Sequence, residues 1–425
     1  MTKKKVSSKY FINRRQAITA SLAFGTLGVS KSASSAEVNQ ENLPPNLPEW
    51  TTYLGDGVDV NPYGVPSEFE SHVVRRNVEW LTATAESSVN FTPIQDLEGF
   101  VTPNGLCFER HHGGVAVINP YDYRLMINGL VEREMIFTLE DLKRFPQTNR
   151  FYFLECAANG GMEWRGAQLN GCQFTFGMIH NVQYTGVTLG NLLKETGIKP
   201  KAKWMLAEGG DSAGLTRSIP IEKVLDDCMI VWAMNGEALR PEQGYPARLV
   251  VPGWEGNMWV KWIRRIEFGD RPYLTREETS KYTDLLKDGQ ARMFTWVMEA
   301  KSVITSPSPE KPINNKGLHQ LRGLAWSGRG AIKRVDVSLD GGKNWITAEI
   351  HGPVLKKCLT RFTLPFEWSG EELLIQSRAI DETGYVQPSI QELQNVRGVN
   401  SIYHNNSIGT WLVNSNGTVD NVRLG

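Results

Sequence analysis

Between residues 101 and 290, apolar and polar residues follow two different periods. Short apolar runs such as Tyr123–Ile127 alternate with helical segments such as Thr138–Phe145, which ends before Pro146, and with glycine-rich turns. Short strands that alternate with helices are typical of α+β domains. We therefore predict a mixed α+β domain over residues 101–290.

A different pattern follows further along the chain. The stretch Ala331–Leu339 alternates between apolar and polar residues, Asp340-Gly341-Gly342 follows, and Trp345–Ile350 returns with further apolar positions. Two alternating runs joined by Asp and Gly residues are characteristic of a β-hairpin. We therefore predict that these residues form two antiparallel strands.

More strands are expected after this hairpin, at Arg361–Leu364 and Glu372–Ile380, and helical periodicity is absent from this region. Several short strands without helices favour a β-sandwich. We predict an immunoglobulin-like sandwich over residues 291–410, which supports dimerisation, and a C-terminal tail over residues 411–425.

The N-terminus has the pattern of an export signal. A basic region contains the pair Arg14-Arg15, a mildly apolar run extends from Ala17 to Val29, and small residues follow up to Ala36. This pattern predicts a twin-arginine signal peptide over residues 1–36 and a periplasmic location. A basic tail before a short helix is the alternative. The proline-rich residues that follow predict an N-terminal arm over residues 37–100.

The composition is that of an ordinary globular protein, with 40% hydrophobic and 22% charged residues among 425. The net charge of zero hides an asymmetry, because residues 1–36 carry seven basic side chains and no acidic one. Without them, 39 basic and 46 acidic residues remain, a net charge of −7. An acidic body argues against a nucleic-acid partner. The interior contains no run of eighteen consecutive apolar residues, so we predict no membrane span there.

Five cysteines follow the signal segment, so an oxidising compartment would allow at most two disulfides and leave one thiol. None lies in a CxxC or CxxCH arrangement, which disfavours a zinc ribbon and covalent c-type haem. Cys156 stands where the apolar run Phe151–Leu154 meets the small-residue loop Ala157–Gly161. It is either a buried structural cysteine or a soft thiolate ligand for a metal.

Two further segments could bind anions. Phe108–Gly114 places Arg110 and two histidines beside a glycine pair, and arginine suits bidentate contact with an oxyanion. Gln243–Trp262 has glycines around a buried strand, followed by Lys261, which could bind a phosphate. The alternatives are an ordinary surface loop for the first segment and core and turn for the second.

Together these segments resemble the sulfite oxidase family, in order from about residue 100 to residue 390. Glu155–Asn159 resembles the family's Glu-Cys-Ala-Gly-Asn, and Phe108–His112 resembles its Phe-Val-Arg-Asn-His. The other similar segments are Glu208–Asp211, Gln243–Arg248, Val260–Trp262 and, from the dimerisation sandwich, Arg322–Gly328 with the hairpin at Asp340.

The resemblance implies a molybdenum–molybdopterin cofactor with oxo groups, no haem in this chain, and Cys156 as the protein's ligand to molybdenum. It implies catalytic roles for Arg110 and Tyr282, and for Arg361 reaching the pocket from the sandwich. The residues expected to bind the pterin and its phosphate are Phe108, His111, His112, Asp211, Gln243, Arg248, Trp259 and Lys261.

Two positions depart from the family pattern, because Gly161 stands where a second sulfite-binding arginine is usual and Phe174 appears in place of a pocket tryptophan. Three stretches, Thr102–Leu106, Gly253–Met258 and Thr275–Tyr282, resemble the molybdenum subunits of bacterial thiosulfate oxidation more than the sulfite oxidases. That resemblance implies oxidation of sulfane sulfur bound to a carrier protein, with electrons passed to a c-type cytochrome subunit.

Three alternative functions remain open. The chain could be a dehydrogenase of free sulfite, or a molybdenum reductase of sulfoxides, which usually lacks the C-terminal sandwich. It could also be a non-catalytic periplasmic subunit that has kept the fold, an interpretation that Cys156 argues against.

Overall fold

The computed structural model describes residues 63–78 and 81–424. The expected signal peptide and the first part of the expected arm lie outside the described residues. From Ser67 onward the chain forms one compact unit. No helix in the described residues is long and apolar enough to cross a membrane.

The helices are short. They are α1 Leu139–Lys143, α2 Cys172–Phe176, α3 Leu189–Thr196, α4 Ile221–Asp226, α5 Arg276–Thr279 and α6 Ile390–Arg397. Single turns of 3-10 helix lie at Glu68–Glu70, Asn104–Leu106, Gly161–Arg165, Pro241–Gln243 and Gly256–Met258.

The strands before residue 300 are β1 Arg76–Asn77, β2 Asn90–Phe91, β3 Leu125–Gly129, β4 Met135–Phe137, β5 Thr148–Glu155, β6 Ile179–Thr188, β7 Trp204–Gly209, β8 Thr216–Pro220, β9 Met229–Met234, β10 Glu237–Ala238, β11 Arg248–Val250, β12 Ile263–Gly269, β13 Asp284–Leu285 and β14 Ala291–Arg292. The later strands are β15 Lys301–Ser306, β16 Gly317–Trp326, β17 Ile332–Ser338, β18 Ile346–Thr347, β19 Glu349–His351, β20 Thr360–Trp368, β21 Leu373–Asp381, β22 Thr410–Val413 and β23 Val419–Val422.

The first domain is built on two five-stranded sheets, which confirms the predicted α+β class. One sheet has the order β10-β9-β6-β5, with β11 also paired to β9, and the other has the order β4-β3-β12-β7-β8. The pairing of β3 with β12 is parallel, and the other pairs of these sheets are antiparallel. Helix α1 begins where the sequence predicts, because Thr138 and Asp141 form a capping box.

The second domain is a sandwich of a four-stranded sheet, β15-β16-β20-β19, and a five-stranded sheet, β18-β17-β21-β22-β23. The predicted hairpin forms between β17 and β18, with Val337 opposite Ile346. Its second strand is shorter than predicted, because β19 pairs with β20 in the other sheet, with Ile350 opposite Phe362.

The predicted C-terminal tail is wrong. Strand β22 pairs with β21 through Ile375 and Trp411, and β23 then pairs with β22. Trp411, Val413 and Val419 are buried, and their apolar side chains complete the sandwich core. The expectation that helices are absent from this domain is also wrong, since α6 lies between β21 and β22.

The two domains share one hydrophobic core at the end of β5. Phe153 and Ile179, from the first domain, belong to the same buried cluster as Leu324 and Trp326, from the sandwich. Both aromatic side chains are completely buried. Burying apolar surface stabilises contacts of this kind by about 25 cal/mol per Å², so the core fixes the position of the segment that follows β5.

Candidate active site

A cavity lies where the loop after β5 meets the segments around residues 110, 211, 243–262 and 282, and its empty space, counted together with open solvent at its mouth, is about 710 Å³. Eleven of the twelve site residues expected from the sequence line it. They are Phe108, Arg110, His111, His112, Cys156, Asp211, Gln243, Arg248, Trp259, Lys261 and Tyr282. The chain therefore brings segments separated by more than 150 residues to one place.

The remaining expected residue, Arg361, does not line this cavity. Its guanidinium donates to the backbone carbonyls of Gly99 and Leu97. These bonds use the charged end of the side chain to hold residues 97–99 against the sandwich. The expectation that Arg361 reaches the pocket is therefore wrong.

Sequence reasoning did not single out three other lining residues, His180, Leu215 and Glu242. His180 lies on β6, where it pairs with Leu154 of β5, two residues before Cys156. A lone histidine in a buried strand belongs to no motif, so only the pairing of β6 with the cysteine strand could have found it.

Cys156 follows β5 directly, and its position is fixed by backbone hydrogen bonds. Its N–H donates to the carbonyl of Met178 over 3.0 Å, and its own carbonyl accepts from the N–H of Asn159 over 2.9 Å. Burial raises the pKa of the thiol, while the backbone of Ala158 and the guanidinium of Arg110 act in the opposite direction. A cation or a metal beside the sulfur would favour the thiolate.

Glu155, the residue before the cysteine, is fully buried and anchors this loop to the sandwich. Its carboxylate accepts from the indole Nε1 of Trp326 at 2.7 Å and from Nζ of Lys301 at 3.1 Å. Lys301 also donates to the carbonyl of Asn159 over 2.9 Å. Two buried groups of the sandwich thus hold both ends of the short segment that presents Cys156.

Tyr282 and His112 form a pair at the wall of the cavity, with the phenol oxygen 2.9 Å from Nε2 of the imidazole. Burial, together with the nearby Arg110, lowers the pKa of His112 to about 4. The imidazole is therefore neutral at pH 7, and the nitrogen that carries its proton sets which of the two groups donates this hydrogen bond.

Cations line another part of the cavity. Nζ of Lys261 donates to the carbonyls of Glu242 (3.0 Å) and Arg110 (3.2 Å) and lies 2.8 Å from Nδ1 of His111. Burial and the charge of Arg248 lower the pKa of Lys261 to about 7. An anionic ligand here would favour the protonated lysine.

Three buried polar atoms of the lining residues have no hydrogen-bond partner among the residues that the structure describes: Nδ1 of His180, Nε of Arg248 and Oδ1 of Asn257. Leaving such a group unsatisfied costs about 1–3 kcal/mol. Nε of Arg248 is a donor and Oδ1 of Asn257 is an acceptor. Together with the ammonium of Lys261, they fit a polar heterocycle that carries a negatively charged group.

Neither departure from the family pattern places a new side chain in the cavity. A Cβ on Gly161 would lie 2.4 Å from the carbonyl oxygen of Ile402, so this position has no room for a side chain. Phe174 lies on α2, outside the residues that line the cavity, and packs edge to face against Phe91.

Comparison with known proteins identifies the fold. The family model "Oxidoreductase molybdopterin binding domain" matches residues 112–276, and "Mo-co oxidoreductase dimerisation domain" matches residues 292–410. Sulfite oxidase of Gallus gallus is 31% identical over 348 residues, which cover 75% of each chain. This chain belongs to the sulfite oxidase family of molybdopterin oxidoreductases.

Two other relatives place the chain within this family. A mitochondrial sulfite oxidase of Drosophila melanogaster is 30% identical over 332 residues, which cover 71% of this chain and 58% of that protein. The crystal structure of the sulfane dehydrogenase SoxCD from Paracoccus pantotrophus matches with 61% identity and a TM-score of 0.87, over 89% of this chain and 98% of that one.

The expected family and the expected two-domain fold are thus confirmed, and the molybdopterin-binding domain implies a molybdenum cofactor. The residues of the cavity fit this group. Cys156 offers one thiolate, and the unpartnered atoms of Arg248 and Asn257, with Lys261 beside them, suit the hydrogen-bonding edge and the phosphate of a pterin.

Proposed function

We propose that this protein is a molybdenum-dependent sulfane dehydrogenase. It oxidises sulfane sulfur bound to a carrier protein and passes the electrons to a c-type cytochrome subunit. The observation that carries this proposal is the 61% identity, over 98% of the matched chain, to the structure of a sulfane dehydrogenase.

In this proposal Cys156 is the protein's ligand to molybdenum. When bound, the cofactor supplies the two-electron oxidation of sulfur with transfer of an oxygen atom. Arg110 and Tyr282 line the same cavity as the thiol, so a guanidinium and a phenol orient the oxyanion of the substrate. His112 holds the phenol through its hydrogen bond to Nε2.

The remaining residues hold the pterin. Lys261 and Arg248 contribute the positive charge for the phosphate, and Asp211 and Gln243 contribute acceptors for ring N–H groups. Gln243 is itself fixed, because its Nε2 donates to the carbonyl of Phe108 over 3.0 Å. Phe108, His111 and Trp259 complete the wall around the pterin.

The charge near the thiol favours a carrier-bound substrate over free sulfite. Two arginines, Arg110 and Arg248, line the cavity. Arg248 is buried, and its guanidinium donates to the backbone carbonyls of Gln243 and Trp259. Space beside Gly161 is filled by the backbone of Ile402. A small dianion needs more than one free cation, whereas a sulfur chain on a carrier cysteine needs less charge.

The proposal also places the protein in the periplasm, exported by the twin-arginine route, as a homodimer that associates through the sandwich. Electron transfer to a separate cytochrome agrees with a sequence that has no CxxCH motif. The cofactor is a molybdopterin with oxo groups on the metal, and this chain carries no haem.

The test is metal analysis of the purified, fully matured protein, followed by assays with two donors and cytochrome c as acceptor. The donors are a carrier protein loaded with sulfane sulfur and free sulfite at the same concentration. Near-stoichiometric molybdenum with turnover that depends on the loaded carrier is expected. A folded protein without molybdenum would contradict the proposal.

Free-sulfite dehydrogenase is the second candidate, because sulfite oxidases are relatives at 30–31% identity. Turnover of sulfite alone, with no rate on the loaded carrier, would favour it. An Arg110→Gln variant helps to separate the two, since we expect a larger rise in KM for the small dianion than for a substrate that a carrier also holds.

A further inference from the structure

A segment of the sandwich domain, Ser401–His404, returns to the loop that presents Cys156. The N–H of His404 donates to the carbonyl of Ala157 over 2.7 Å, next to the cysteine. The carbonyl of Tyr403 accepts from Nε1 of Trp164 at 3.0 Å, and Oγ of Ser401 donates to Asp284 at 2.5 Å. This segment is therefore attached both to the loop that presents Cys156 and to the segment that carries Tyr282.

The side chain of Tyr403 packs directly on Tyr282. The two ring centroids are 4.9 Å apart with the planes tilted by 39°, and the guanidinium of Arg217 lies 5.4 Å from the centroid of the Tyr282 ring. Aromatic pairs at this distance contribute about 0.5–1.5 kcal/mol beyond the area they bury. The ring of Tyr282 thus has two partners of its own.

Tyr282 needs such support, because its backbone has a φ of 53°. A non-glycine residue in this left-handed region costs about 1–3 kcal/mol and persists only where its surroundings hold it. The hydroxyl at the end of this residue is the one that contacts His112. A small rotation of the Tyr282 backbone would move it away from that imidazole.

Close packing beside Gly161 holds the segment in place. The carbonyl oxygen of Ile402 lies where a Cβ on Gly161 would come within 2.4 Å. The segment is thus held against the cysteine loop, with the ring of Tyr403 on that of Tyr282.

We propose that Tyr403 is a positioning residue of the active site, which holds the ring of Tyr282 so that its hydroxyl stays on His112. The phenol of Tyr403 is not among the residues that line the cavity, so it acts through Tyr282. The effect of this residue on turnover rests on the proposed function, whereas its effect on the Tyr282 segment does not.

Four variants of the cofactor-loaded protein test this role. Tyr403→Ala removes the ring, and Tyr403→Phe keeps it. Gly161→Ala pushes the backbone of Ile402 away without changing Tyr403. Tyr121→Ala is the control. Tyr121 is 85% exposed, and its hydrogen bonds to Asn119 and Arg124 are made by backbone atoms that the substitution leaves in place.

Two readouts are measured for each variant: amide hydrogen exchange of residues 280–284, and kcat and KM for the loaded carrier, with kcat expressed per molybdenum. For Tyr403→Ala and Gly161→Ala we expect faster exchange and a kcat lower by about 10- to 100-fold, with KM changed less than threefold. Tyr403→Phe should lie within about threefold of the unaltered protein, and Tyr121→Ala should match it.

Unchanged exchange in Tyr403→Ala would overturn the proposal, as would a variant that raises KM and leaves kcat intact. A Phe variant as impaired as the Ala variant would also overturn it, because the hydroxyl and not the ring would then matter. If the unaltered protein oxidises no sulfur donor, the proposed function fails, and hydrogen exchange alone still decides the role of Tyr403.

Discussion

The phenol oxygen of Tyr282 lies 2.9 Å from Nε2 of His112, a residue 170 positions earlier in the chain. Burial is the main reason why the pKa of Tyr282 is raised and that of His112 is lowered to about 4. Both groups are therefore neutral at pH 7, and in the tautomer that carries its proton on Nε2 the imidazole donates to the phenol oxygen and leaves the phenol O–H free for the substrate. This pair fixes the hydroxyl on the wall of the cavity that also contains Cys156.

Tyr282→Phe should lower kcat by about 10- to 100-fold, because an oriented hydrogen-bond donor beside the substrate is lost. Molybdenum content and the melting temperature should stay close to those of the unaltered protein. Tyr123→Phe is the control, since its hydroxyl donates to the carbonyl of Ile263 over 2.7 Å, away from the cavity. Equal kcat in Tyr282→Phe and the unaltered protein would remove the phenol from the mechanism.

The low pKa of His112 predicts an acid limit. The folded-state pKa of about 4 lies below the ordinary value of 6.5. The contribution of neutral His112 to stability is therefore complete above pH 6.5 and is lost as the pH falls from 6.5 through about 4. Urea unfolding of the protein between pH 7.5 and 4 measures this slope, and we expect it to be shallower in His112→Gln. Identical slopes would assign the acid limit to other groups.

The cavity residues could be predicted from the sequence where motifs carry them. Cys156 and Lys261 lie in short runs whose residue order is distinctive, and both were placed correctly in the cavity. The expected position of Arg361 is wrong, because the local sequence does not show whether an arginine on an alternating strand reaches a pocket or donates to a backbone carbonyl. Tyr403 was missed because its contact with Tyr282 depends on the path of the chain after α6.

The fold shows the same division. Helix α1 is encoded locally, because the capping residues Thr138 and Asp141 are three positions apart. From the sequence we predict a tail over residues 411–425, where the structure has β22 and β23 with four residues each. Strand β22 pairs with β21 through residues 34 to 40 positions apart, and β23 then pairs with β22, so propensity alone could not reveal either strand.

Cys156→Ser should remove molybdenum from the protein and leave the fold intact. The backbone bonds of this residue to Met178 and Asn159 do not use the sulfur, so the loop keeps its shape. Cys358→Ala is the matched control, because its thiol is buried against the carbonyl of Phe151 outside the cavity. We expect it to retain molybdenum while losing stability. Metal analysis and thermal unfolding of both variants decide the point; full molybdenum content in Cys156→Ser would show that the ligand is another group.

Lys301→Met should be strongly destabilising. Lys301 and Glu155 are both almost fully buried, at 1% and 0% side-chain exposure. Removing one partner of a buried ion pair costs about 3–5 kcal/mol, because the other charge stays buried without compensation. The free energy of unfolding in urea measures this loss. The double variant Lys301→Met with Glu155→Gln should recover at least half of it, and a double variant as unstable as the single one would show that the charge is not the cause.

Lys261 couples cofactor binding to pH. Its pKa in the protein without ligand is lowered from 10.5 to about 7, chiefly by burial. In the unfolded chain Lys261 takes up a proton below pH 10.5, whereas in the folded protein it does so only near pH 7. The contribution of Lys261 to the stability of the protein without cofactor is therefore present above pH 10.5 and is lost as the pH falls to 7.

A bound phosphate reverses this preference, because it attracts the protonated amine. Cofactor binding above pH 7 must therefore be accompanied by proton uptake at Lys261, and the affinity should fall by up to about tenfold for each pH unit. Pterin retained after dialysis at pH 7, 8 and 9 measures this dependence. Lys261→Arg should retain the cofactor almost equally at the three pH values, since arginine stays charged, and Lys261→Met should retain little at any of them. The same pH dependence in Lys261→Arg and the unaltered protein would show that a different group takes up the proton.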